Sequence, residues 1–158
     1  GQPMALEIFL RLDGVIGGAR NYYHPGSADV MSWQWCLSGT DSASPADELH
    51  IVKRVGIESP TLMRLWAERA LVPAGEISIV PVVGKRDAQQ KFICVKLENI
   101  RVLSMEVGGS VDDNHATEKL RLKFELLRFE FHHYIDATPD SPGGTAQSVA
   151  FDWHAPEA

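Results

Sequence analysis

The stretch Asp29-Val30-Met31-Ser32-Trp33-Gln34-Trp35-Cys36-Leu37 decides the fold class. Met31, Trp33, Trp35 and Leu37 recur at every second position, with Val30, Ser32, Gln34 and Cys36 between them. A period of two is the signature of a β-strand with one face in a core. The spacing therefore predicts Trp33 and Trp35 in the core and Gln34 on the opposite face.

The same alternation extends outward. Leu6, Ile8, Leu10 and Leu12 alternate with Glu7, Phe9 and Arg11, and Asp13-Gly14 and Gly17-Gly18 then supply turn chemistry. A polar loop from Ser38 to Pro45 precedes a strand near Glu48 to Val55. Ser59-Pro60-Thr61 marks a helix start, with Ser59 as cap and Pro60 at the first helical position. The helix is predicted to run to about Leu71, with Leu62, Leu65, Trp66 and Ala70 on the side that packs. Another strand is expected over Glu76 to Lys85, where Pro81 marks an edge or a bulge.

Two later strands change phase. Ile93, Val95 and Leu97 are odd but Ile100 and Val102 even, so the alternation breaks near Glu98-Asn99. Leu120, Leu122, Phe124 and Leu126 are even but Leu127, Phe129, Phe131 and His133 odd, which places a second break near Leu126-Leu127. Such slips call for bulges or sharp coils that turn a barrel corner. A short final strand is expected around Ser148 to Trp153. The fold class expected is mainly β: a small antiparallel β-barrel with one short α-helix.

Size and charge narrow the function classes. The 158 residues, 44% hydrophobic and 23% charged, suit one globular domain, expected over residues 4–158 with Gly1 to Pro3 as a short added tail. The longest nearly apolar stretches, such as Phe92 to Val95, are strand-sized, so no membrane insertion is expected. A net charge of -6 without a basic run argues against nucleic acid as partner. Cys36 and Cys94 are too few and too far apart for a disulfide scaffold or a CxxC site. The start of the chain lacks signal-peptide features, and folding in the cytoplasm is expected.

The sequence carries no pattern from which catalytic chemistry is expected. His132 and His133 with Asp136 form the most tempting metal cluster, but strand neighbours point to opposite faces. The alternation puts His133 with the apolar set and leaves His132 free to meet solvent or a neighbouring subunit. No GxSxG elbow or phosphate-binding glycine loop occurs, and Gly108-Gly109 reads as a hairpin corner. Asp112-Asp113 read as solvated loop residues. The sites expected are therefore structural: Trp33, Trp35, Leu62 and Trp66 as core, with no catalytic residues, cofactor or metal.

The pieces together resemble the haemolysin co-regulated protein (Hcp) family of type VI secretion. The matching stretches are Ile8-Phe9-Leu10-Arg11-Leu12-Asp13-Gly14-Val15, Asp29 to Trp35 as a D-V-x-S-W-x-W strand, Ser59-Pro60-Thr61-Leu62-Met63, Ala74-Gly75-Glu76-Ile77, Thr117-Glu118 and Phe151-Asp152-Trp153. The resemblance implies a homohexameric ring and rings stacked into a tube. It implies a contractile sheath, a spike protein and small effector proteins as partners, with secretion through that apparatus. It also implies that Gln34 faces the lumen and contacts effectors. The alternative reading is a monomeric β-barrel that binds a small ligand or a protein.

Overall fold

The computed structural model describes residues 5–21, 24–38, 45–82, 92–132 and 146–153. It contains β1 (Leu6–Leu12), β2 (Ala28–Val30), β3 (Ser32–Trp35), β4 (Glu48–Arg54), α1 (Ser59–Glu68), β5 (Val72–Pro81), β6 (Ile93–Gly108), β7 (Thr117–Lys123), β8 (Leu126–His132) and β9 (Ala146–Asp152). All strand pairings are antiparallel.

Two sheets face each other across the core and share β6. One runs β2-β1-β5-β6-β8-β9 and uses the first half of β6, where Ile93 to Glu98 pair with β8. The other runs β6-β7-β4-β3 and uses the second half, where Arg101 to Gly108 pair with β7. Leu10, Leu49, Ile51, Ile77, Val95, Ile100, Leu120, Leu122 and Leu127 fill the space between the sheets, each no more than 3% exposed. The expected barrel is thus a sheet folded on itself. Among the described residues no ladder joins β2 back to β3, because the chain itself makes that turn.

The phase slips are the corners. Asn99, with φ of 54°, breaks the alternation of β6 at the expected place. The second break falls at Phe124-Glu125, two residues earlier than the sequence reading put it, and splits that strand into β7 and β8. A third corner is invisible in the periodicity. The stretch Asp29 to Leu37 is not one strand but two, because Ala28 and Val30 point inward before the corner and Trp33 and Trp35 after it. Met31, between them, is 48% exposed, and its N–H donates to Val52 O at 2.8 Å. An apolar residue at the corner concealed the slip.

The helix is shorter than expected, ending at Glu68 with Arg69 in the left-handed conformation. Its cap also differs. Glu58 holds the cap position, while Ser59 Oγ accepts from Gly56 N at 2.9 Å and donates to a buried carboxylate. The next strand starts early, at Val72, so Gly75 lies inside it. A Cβ at Gly75 would stand 2.9 Å from the backbone oxygen of Arg11, besides 2.6 Å from Leu12 Cδ2 and 2.8 Å from Ile100 Cδ1, so a side chain there would crowd the neighbouring strand as well as the core. Pro81 is the last residue of β5, an interior strand, rather than part of an edge.

Candidate assembly surface

Leu62 is 1% exposed and belongs to the core cluster, and Trp33 and Trp35 pack against it partly buried. Trp35 Nε1 donates to Ala46 O at 2.6 Å, and its ring meets Phe129 and Phe151 at centroid distances of 6.5 and 5.9 Å. Trp66 is not core: it is 51% exposed. The buried arc of α1 is narrow and centred on Leu62, so the indole lies at its rim. There Trp66 Nε1 donates to Leu103 O at 3.1 Å. The register between β6 and β7 shifts between Val102 and Ser104, which sets Leu103 outside the ladder.

Gln34 lies on the exposed face of β3, opposite the core. Register carries its row across the whole four-stranded sheet as Gln34, His50, Arg121 and Ser104. The adjoining row is Ser32, Val52, Lys119 and Glu106. No described element packs over this face. Beside it, among the described residues, β3 pairs only with β4, and β9 only with β8. Both are edge strands with unpaired backbone groups. They flank a mostly apolar groove of about 540 Å³ lined by Trp33, Trp35, Leu37, Phe129, Val149 and Phe151, with Gln34 at its border.

Behind the face lies a charged cluster that the sequence reading missed. Lys53, on the inward side of β4, is fully buried. Its Nζ pairs with Glu58 Oε1 at 2.7 Å and with Glu118 Oε1, and donates to Arg54 O at 2.8 Å. Ser59 Oγ adds a bond of 2.9 Å to Glu118. Lys53 and Glu118 are direct cross-strand partners in the register of β4 and β7. Opposite charges at inward positions of facing strands, 65 residues apart, were the available signal. A buried cation and its carboxylates must be satisfied together, so the cluster ties the start of α1 to the four-stranded sheet.

The described histidines do not converge. His24 stacks on Phe9 at 4.3 Å rather than lying free on the surface, and His132 Nε2 meets Glu130 Oε1 at 3.3 Å. His133, Asp136 and His154 lie outside the described residues, as does Lys85. Among the described residues no group of histidine, cysteine and acidic side chains has the arrangement of a metal site. Cys94 is buried, yet not in the core between the sheets: it lies on the outward row of the six-stranded sheet with Ser78 and Glu130, and its Sγ donates to Glu76 Oε1 at 2.7 Å, whereas Cys36 is only partly buried.

These elements can be set against known proteins. The model of the family described as "Type VI secretion system effector, Hcp" matches residues 9–131. The chain belongs to the Hcp family. Protein hcp1 of Pseudomonas aeruginosa is similar to it at 22% identity, over 96% of each sequence. Hcp1 from Salmonella typhimurium has the same fold with a TM-score of 0.79 at 20% identity, covering 98% of this chain and 99% of that one. The secreted protein Hcp3 from Pseudomonas aeruginosa superposes with a TM-score of 0.65 at 11% identity, over 97% and 100% of the two chains. As an Hcp protein the chain is a secreted tube protein of type VI secretion, structural rather than enzymatic. Two of the motifs that carried the resemblance, Ser59-Pro60 and Thr117-Glu118, meet in the buried cluster around Lys53.

Proposed function

We propose that this Hcp chain closes into a homohexameric ring, that the rings stack into a tube, and that Gln34 looks into the lumen, where small effector proteins bind. The observation that carries the reading is the bare four-stranded face bounded by the edge strand β3. A flat sheet face with unpaired edges is costly in a monomer, and closed cyclic symmetry removes those edges. On this reading the four-stranded sheets of neighbouring copies lie side by side and line the pore, with the core and the six-stranded sheet outside. The sheath and spike would then meet surfaces of the assembled tube, and the chain would remain cytoplasmic until assembly.

Gln34→Glu tests the placement. The substitution should leave rings intact by negative-stain electron microscopy and weaken effector retention. Loss of the ring would put Gln34 at a subunit boundary instead.

A further inference from the structure

The two outer sheet faces carry opposite charge. On the six-stranded sheet the outward positions hold Glu7, Asp29, Glu76, Glu98, Glu130 and Asp152 against three bases, Arg11, Lys96 and Arg128. On the four-stranded sheet the balance reverses. Arg54, Arg101, Lys119, Arg121 and Lys123 point outward, and the acids among them are Glu48 and Glu106. Glu48 is only 6% exposed and lies under its ion pair with Arg121, so among the described strand residues Glu106 is the one acid displayed on that face. Asp47, just before β4, reaches Lys123 at 3.4 Å. Arg101 and Lys119 have no ion-pair partner among the described residues.

A cationic face on a chain of net charge -6 is not a by-product of composition. We infer that the outer face of β3, β4, β7 and β6 is a docking surface for an acidic protein segment. The inference rests on the ring reading, in which this face lines the pore, and it names the class of effector admitted there: one that presents carboxylates. Charge complementarity argues for the partner. Arginine and lysine bind carboxylates, and the neutral side chains in the same rows, Gln34, Ser32 and Ser104, hydrogen-bond peptide groups. A phosphate polymer fits less well, because Glu106 and Asp47 stand among the cations and the rest of the chain repels it.

The test uses a fluorescein-labelled oligoglutamate peptide, with a single-stranded oligonucleotide of equal net charge as competitor. Fluorescence anisotropy should show binding to the wild-type chain that weakens as salt is raised. The triple variant Arg101→Gln, Lys119→Gln, Lys123→Gln should weaken it by about tenfold or more. Arg11→Gln, Lys96→Gln, Arg128→Gln, on the opposite face, should not. Should the first triple variant unfold, Lys119→Gln alone gives the same direction with a smaller fall. Equal affinity of both triple variants, or no binding by the wild type, overturns the inference. Tighter binding of the oligonucleotide overturns the choice of a protein partner. Mass measured on the same samples keeps the two readings apart, since absence of a ring counts against the ring alone while the peptide still reports on the face.

Discussion

Asn99 donates a hydrogen bond of 2.7 Å from Nδ2 to Oε2 of Glu125, and each residue occupies a corner where the chain passes between sheets. Backbone bonds reinforce the link: Glu125 N donates to Glu98 O at 3.1 Å, and Trp153 N to Glu125 O at 2.8 Å. One corner therefore holds the other, and both hold the entry to the final strand. The φ of 54° at Asn99 suits asparagine, which tolerates the left-handed region better than other non-glycine residues.

Two substitutions separate backbone from side chain at this corner. Asn99→Gly keeps the conformation and loses the hydrogen bond, for a cost of about 1 kcal/mol. Asn99→Val loses both, for about 2–3 kcal/mol. Urea unfolding of the two variants should rank them in that order; the reverse order would mean the turn is not held by Asn99.

Lys53→Met should destabilise the chain by about 3–5 kcal/mol, because Glu58 and Glu118 would be left buried without their cation. Adding Glu58→Gln and Glu118→Leu to the same chain should recover part of that loss. Chemical denaturation checks both steps. A near-neutral Lys53→Met would show that the cluster is solvated.

Partial desolvation, and then the charges of Glu7 and Glu58, hold the Asp29 carboxyl above its ordinary 3.8, against the opposing pull of Arg54. An acid whose folded pKa is raised opposes folding when it is charged. That penalty is full above the raised pKa and disappears as pH falls through it and below the unfolded value. Asp29→Asn should therefore be slightly more stable than the parent at neutral pH, and the two should converge below about pH 4. Thermal melts across pH provide the comparison. A difference that grows on acidification would contradict the sign.

Periodicity made the sheet and two of the three corners legible, because strict alternation turns each slip into a visible change of parity, and the Ser59-Pro60 pair marked the helix start to within one residue. The corner at Met31 was not legible, since an exposed methionine reads as one more core residue. Trp66 misled for a related reason: an amphipathic stripe gives the direction of a helix face but not the width of the surface it meets. The buried cluster escaped because Lys53 and Glu118 are far apart in sequence and each alone reads as a solvated charge. Gln34 was placed opposite the tryptophans by alternation, whereas the lumen itself entered only through the family.

The helix provides a direct comparison of buried and rim positions. Leu62→Ala should cost about 2–5 kcal/mol, as at other fully buried leucines. Trp66→Ala should cost less despite the larger residue, since half of the indole is already in water. Denaturation midpoints of the two variants measure this, and a larger loss at Trp66 would return it to the core.

The central claim is the ring, and native molar mass by light scattering tests it most directly. At micromolar concentration the account predicts a species of six times the 17.5 kDa chain mass. A single species at 17.5 kDa under those conditions would contradict it.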